Sequence, residues 1–471
     1  MLKISLIGAG SGCFSIGLVR ELCASEALSG SLVSLMDING ERLDAVHSLC
    51  LRYTKEIGGK LNFEKTLDRK ASLQGADFII NTALTAPHSR LKDGWRIAER
   101  YGFRFGGSYH IMYDEAFWIN FYQLRFFDEL TRDILTICPD AWHLMVANPV
   151  ITGTTYIQRK YPEAKMAGLC HGYAHAKRIA GILGAAGGDF TFQMSGPNHF
   201  VWLNKGHIGM RDFFEALDER LAACGGTAGD AAAGGTAGAG EPGVAAEIAS
   251  AVEENAAQRP FGKIHEDFYR RHGVIGIGDT LNWTGACWPW FYHADEETER
   301  EFDDYIPMDG WNRYFNGVEK SAADIIALAR DPDRSVKDFM GKVGADDLMI
   351  PLVESLACNI PRILFVNMLN KGGLAPGMPE DFSVETQALC QRDEIRPIRA
   401  DPLPRAMIAY ILRDRVAPVE MELEALRTGK MNYLEELLLM DKWAKSIKQV
   451  RGFIKEILEL PYHGEMKAYY K

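Results

Sequence analysis

The chain has 471 residues with 47% hydrophobic content, enough for more than one packed core. Its formal net charge is −11 from 52 basic and 63 acidic residues with no dense Lys/Arg block, which argues against nucleic acid as a partner. Nine cysteines without paired spacing favour a reducing compartment, and no apolar run of about eighteen residues suggests a membrane span.

Met1 leads almost directly into the first apolar run, which leaves no room for a signal peptide and makes a cytoplasmic setting the expectation. Ile4 to Ile7 reads as a strand ending in glycines, followed by a helix from Phe14 to Ala24 with Phe14, Leu18 and Leu22 on one face. Ser31 to Met36 is a second strand closing on Asp37. Gly40 to Ile57 then reads as a helix carrying Leu43, Val46, Leu49 and Leu51. Asp77 to Thr82 and His143 to Ala147 are further buried strands, the latter closing on Asn148-Pro149. Strands alternating with helices predict an α/β fold with a parallel, Rossmann-like sheet over residues 1–150. Residues 151–471 form the expected second domain, for substrate and oligomer contacts.

There the pattern changes. Leu203 to Leu221 and Val244 to Phe268 read as helices, and between them Cys224 to Gly243 is almost entirely Gly, Ala and Thr. That stretch buries too little side-chain area to repay ordering and reads as a mobile insertion at 224–243. Ser321 to Ala329 is helical, Ile363 to Asn367 a strand, and Ala406 to Trp443 strongly helical.

The turn Gly8-Ala9-Gly10-Ser11-Gly12 follows a strand and opens a helix, as pyrophosphate binding requires. Its spacing departs from Gly-x-Gly-x-x-Gly, since Cys13 stands at the third glycine. Asp37 is placed to bond ribose hydroxyls and so to favour NAD over its 2′-phosphorylated form. Cys170 as thiolate and His199 as imidazole can hold a divalent ion, and two donors leave the open positions that catalysis needs. His171 and His175 are further candidates in the same segment. Asp114 and Asp279, set among apolar residues and glycines, are candidate acid–base groups, against ordinary cap and turn roles. Trp283, Trp288 and Trp290 form either a sugar-stacking wall or core.

Together these phrases resemble glycoside hydrolase family 4, the NAD- and metal-dependent glycosidases. The likeness covers nearly the whole chain. It runs through Ile7-Gly8-Ala9-Gly10-Ser11, Leu35-Met36-Asp37-Ile38, Ile80-Asn81-Thr82-Ala83, Ala147-Asn148-Pro149 and Leu169-Cys170-His171-Gly172. It continues through Asn198-His199, Trp202-Leu203-Asn204, Ile277-Gly278-Asp279-Thr280 and Asn370-Lys371-Gly372.

The resemblance implies an enlarged lactate/malate dehydrogenase-like fold with a mixed α+β C-terminal domain, assembled as a homodimer or homotetramer. It implies NAD, held by Gly8, Gly10, Ser11, Gly12, Asp37 and Asn81, and a metal, typically manganese, on Cys170 and His199. Asn148 and Asn198 are expected at the substrate, Asp114 as acid and Asp279 as base. The implied reaction on an α-glycoside oxidises the C3 hydroxyl, removes the C2 proton, eliminates the aglycone and adds water, outside the two-carboxylate scheme.

Cys170-His171-Gly172 resembles the α-glucoside and α-glucuronide branch. Tyr173 departs from that branch, as does the segment Phe105 to His110, which leaves the C6 group of the sugar open. Arg104, His110 and Lys205 are candidates to meet an acidic substituent. A 2-hydroxy-acid dehydrogenase is the alternative reading, and a non-catalytic NAD-binding protein is a third.

Overall fold

The computed structural model describes residues 1–186, 188–224, 259–281, 287–302, 307–340 and 348–471. The expected Gly/Ala-rich insertion lies outside these residues except for Cys224, as do Trp283 and most of the helix expected at Val244 to Phe268.

Among the described residues the central feature is a nine-stranded sheet. Strands β1 (Lys3–Ile7), β2 (Leu32–Met36), β3 (Asn62–Thr66), β4 (Phe78–Asn81), β5 (Trp142–Met145) and β6 (Met166–Gly168) run parallel in the order β3-β2-β1-β4-β5-β6. Ile4, Leu6, Ile80 and Leu144 are fully buried because helices cover both faces, so these strands read as continuous apolar runs. The sheet continues past β6 with antiparallel β11 (Arg362–Leu369), β12 (Ser383–Gln391) and β13 (Glu394–Pro397). A second sheet contains β7 (Phe190–Ser195), β8 (Val201–Ile208), β9 (Arg211–Asp212) and β10 (Ile275–Ile277). This is the expected α/β class, with the parallel half at the N-terminus and mixed α+β structure beyond it.

Several local expectations change. Leu203 to Leu221 is not one helix. Leu203 to Ile208 belongs to β8, the chain reverses at Gly209 (φ 57), and the helix begins only at Phe213 and runs to Cys224. Trp202 and Leu203 are both buried, so the strand shows no alternation that would mark it. β3 was not expected either. Its sequence Asn-Phe-Glu-Lys-Thr is a polar edge strand with one large apolar residue. In the helix Gly40–Ile57, Leu43, Val46 and Leu49 are buried but Leu51 is 48% exposed, because it lies off the i, i+3, i+4 stripe. The helical run at Ala406 to Trp443 is broken by a π-turn at Leu412–Val416 and by left-handed Gly429 (φ 67).

The helix His88–Arg100 packs on Phe117–Ile137 through Gly94, where a Cβ would stand 2.2 Å from the Trp118 ring. Trp118 is fully buried and gives its indole N–H to Arg90 O (3.2 Å), so the ring cannot step aside. Gly94→Ala gains about 1 kcal/mol of helix propensity. Overpacking costs about 1–3 kcal/mol and wins. We expect a lower denaturation midpoint in urea, and an unchanged or raised midpoint would refute this close contact.

Candidate active site

The C-terminal ends of β1, β2 and β4 bring the expected dinucleotide residues together beside the switch in strand order. Gly8 takes a left-handed conformation (φ 92) and its N–H reaches Met36 O at 2.9 Å. Gly10 donates its N–H to Asp37 Oδ2 at 2.7 Å, and a Cβ on Gly10 would sit 2.7 Å from that carboxylate. Asp37 Oδ1 accepts the Asn39 N–H at 2.8 Å. Gly12 (φ 76) opens the helix Cys13–Ala24, and exposed Ser11 pairs its hydroxyl with Ser15 at 3.0 Å. Asn81, fully buried, accepts the Ala83 N–H, while its Nδ2 has no partner among the described residues. A turn with no room for a side chain, and a buried donor left over, suit a bound dinucleotide.

A polar centre forms where β5 and β6 end. Asn148 follows β5, its peptide bond to Pro149 is cis, and its Nδ2 donates to Asp114 Oδ2 at 3.1 Å. Cys170 follows β6 and its side chain hydrogen-bonds His199. His199 itself is left-handed (φ 58), a conformation costly for a non-glycine residue and held here by surrounding bonds. Its Nδ1 lies 2.9 Å from the Tyr113 hydroxyl and 3.0 Å from Glu115 Oε1. Its Nε2 lies 3.4 Å from Asp279 Oδ2, and its carbonyl accepts the Tyr109 hydroxyl. A carboxylate on Nδ1 fixes the tautomer and turns Nε2 toward Cys170 and Asp279, as in carboxylate–histidine–metal sites.

Burial, then the charge of Glu115, pushes the Asp114 carboxyl up to about 7. Burial, then the charge of Glu385, raises the Cys170 thiol. Burial opposes protonation of His199, yet Asp279 and the bonds to Cys170 and Glu115 outweigh it and raise its basicity. Among the described residues, Asp114, Glu115 and Glu385 make no bond to Lys or Arg, and Asp114 Oδ1 and Glu385 Oε1 are buried acceptors without a donor. Such an excess of anionic and acceptor atoms suits a cation. No group of three or more His, Cys, Asp or Glu among the described residues is arranged to hold one. Cys170 and His199 would therefore supply two donors and leave the rest of the shell open.

Other expected residues make different contacts. Asn198 is fully buried and gives its amide to Glu385 Oε2 at 3.1 Å. His110 is buried, with Nε2 at 3.1 Å from Glu422 and Nδ1 at 3.3 Å from Ser108 Oγ. Lys205 pairs at the surface with Asp401, and Arg104 lies over the Trp443 ring. His175 is buried edge-on to His265. Trp288 belongs to the core, with Phe200 and Phe268 against it, and is no sugar wall.

Four residues at the centre escaped the sequence reading. Tyr113 and Glu115 flank Asp114, and their role becomes visible only when His199 arrives from 84 residues away. Tyr314 is half-buried, and the charges of Asp114 and Asp279 both act on its hydroxyl. Glu385 looks like an ordinary strand residue, and nothing in its local sequence marks it.

The N-terminal model "Family 4 glycosyl hydrolase" matches residues 3–184, and the family's C-terminal domain model matches residues 194–444. The α-glucosidase of Erwinia rhapontici is 25% identical over 93% of each chain. The α-galacturonidase of Thermoanaerobacterium saccharolyticum is 22% identical over 97% of this chain and 95% of its own. In fold, the chain is similar to a 6-phospho-α-glucosidase from gut microorganisms, solved with NAD and Mn²⁺. The TM-score is 0.77 at 16% identity, over 100% of this chain and 99% of that one. No helix among the described residues is long and apolar enough to cross a membrane. With both of the family's models matched in chain order over most of its length, the protein belongs to family 4 of the glycosyl hydrolases.

Proposed function

We propose that the protein is an NAD- and divalent-metal-dependent α-glycosidase acting on an unphosphorylated glycone. The observation that carries this reading is the pairing of Cys170 with His199 beside Asp279, at the same C-terminal edge of the parallel strands as the glycine turn and Asp37. Relatives solved with NAD and Mn²⁺ support it. When bound, NAD would take and return the C3 hydride, and the metal would polarise the C3 oxygen and acidify the C2 proton.

The chain's own residues supply the remainder. Gly8, Gly10, Ser11, Gly12, Asp37 and Asn81 hold the dinucleotide, and Cys170 and His199 hold the metal. Asp279, part-exposed beside the imidazole, is placed to receive the C2 proton. Asp114, kept partly protonated near neutral pH by burial, gives its proton to the departing oxygen, and Asn148 fixes its orientation. His110 and Lys205 are already paired with carboxylates, which favours a neutral α-glucoside over an α-glucuronide. Residues 1–150 serve as the dinucleotide domain in this reading, and residues 151–471 as the substrate and assembly domain of a homodimer or homotetramer. Free thiols at Cys23, Cys50, Cys138 and Cys390 support a cytoplasmic setting.

The test is nitrophenol release from paired α-glucoside and α-glucuronide substrates, with and without NAD⁺ and Mn²⁺. We expect cleavage that needs both additions, faster on the glucoside, with no net NADH. Steady NADH accumulation with a 2-hydroxy acid would instead establish the dehydrogenase.

A further inference from the structure

Glu385 sits mid-strand in β12, where Asn367 of β11 is its Cα partner and its own N–H donates to Gly196 O at 2.7 Å. The residue is 1% exposed. Its Oε2 accepts the amides of Asn198 and Asn367, each at 3.1 Å. Its Oε1 has no donor among the described residues, and neither do Asn198 Oδ1 and Asn367 Oδ1. Turning either amide over would aim a lone pair at the carboxylate, so both orientations are fixed by it. Glu385 makes no bond to Lys, Arg or His among the described residues. A buried carboxylate held only by two neutral amides is costly unless a counter-charge lies near.

The surroundings say where that counter-charge belongs. Asn367 pairs with Gly168, which leads into Cys170, and Asn198 immediately precedes His199. Glu385 is thereby fastened to both segments that bear the candidate metal donors. Without a cation the buried Glu385 carboxylate has only neutral amides as side-chain partners. A dication between Cys170 and His199 would supply the missing positive charge.

We propose that Glu385 is the fixed counter-charge of the cation held by Cys170 and His199, acting across space and through Asn198 rather than as a ligand. The proposal rests on the reading of that pair as metal donors. Glu385 is thus a positioning residue, and metal binding rather than turnover alone is its measure.

The test follows Mn²⁺ binding by the loss of the free-ion paramagnetic resonance signal, and thermal unfolding in chelator, for wild type and variants of the full chain. Glu385→Gln keeps an acceptor for both amides and removes the charge. We expect Mn²⁺ affinity to fall about 10- to 100-fold. The melting temperature in chelator should stay level or rise, and NAD⁺ affinity should stay within about twofold. Glu385→Asp, which keeps the charge, should bind Mn²⁺ within about fivefold of wild type. Mn²⁺ affinity unchanged in the Gln variant, or lost equally in Gln and Asp, overturns the proposal. Should the Gln variant not fold, a hundredfold loss in the Asp variant overturns it alone. Cys170→Ser serves as the control: full Mn²⁺ binding there would sink the donor assignment itself, whatever Glu385 does.

Discussion

Cys170→Ser is expected to lower kcat/KM at least 100-fold and Mn²⁺ affinity by a similar factor, while NAD⁺ affinity changes less than about twofold. A serine hydroxyl is not anionic at neutral pH, so the exchange removes the one thiolate donor and leaves a neutral imidazole to hold the ion alone. Burial and the charge of Glu385 raise the Cys170 thiol in the metal-free protein, so the thiolate is a form that a bound cation must bring about. Metal binding should therefore release a proton in the wild type, and the Ser variant should release less. The dinucleotide residues end β1, β2 and β4, whereas Cys170 follows β6 at the other side of β5, which is why cofactor affinity is predicted to survive. Competition of a thiol-seeking ion such as Cd²⁺ with Mn²⁺ should weaken in the variant. Retained Mn²⁺ activation in Cys170→Ser would show that the metal sits elsewhere.

Four strands of the parallel half, β1, β2, β4 and β5, were legible because they are buried on both faces. Ile4 to Ile7, Leu32 to Met36 and Phe78 to Asn81 are short apolar runs, each ending in a turn or polar signal. The second sheet was not. Val201 to Ile208 carries Trp202 and Leu203 side by side in the core and then polar residues, a pattern that fits neither period. At the site, Cys170, His199, Asp114 and Asp279 could be named because their residue types carry the chemistry and the family resemblance picked them out. Glu115, Tyr113 and Glu385 could not, because their roles exist only in contacts made across long chain separations. Asn198 illustrates the same limit. Its motif drew attention to it, yet its side chain faces Glu385 inside the core, and only coordinates reveal which neighbour an amide serves.

Asp114→Asn is expected to slow cleavage of substrates with poor leaving groups, such as alkyl α-glucosides, by about 10²- to 10⁴-fold. The nitrophenyl substrate, whose leaving group needs little protonation, should lose far less. The reason is the carboxyl's environment: burial and the neighbouring Glu115 hold it at about 7, so near neutral pH much of it carries a proton. Of the groups facing it, Glu115 and Asp279 push it up, while His199 and the Asn148 amide work in the opposite sense, and Tyr314 lies within reach of its charge.

The same shift predicts a stability effect in chelator. The folded value lies above the unfolded one, near 3.8, so the folded state binds the extra proton between those two values. Stability contributed by this group is complete below pH about 4 and is lost as the pH rises through about 7. Asparagine cannot ionise and so escapes that loss. Chemical denaturation should therefore find Asp114→Asn close to wild type at pH 4 and more stable by up to about 4 kcal/mol at pH 8. The alkaline limb of the alkyl-glycoside pH profile, which reports loss of the acid, should vanish with the same substitution. Equal losses on alkyl and nitrophenyl substrates, with no pH-dependent gain in stability, would remove Asp114 from the acid role and leave it as an anchor for Asn148.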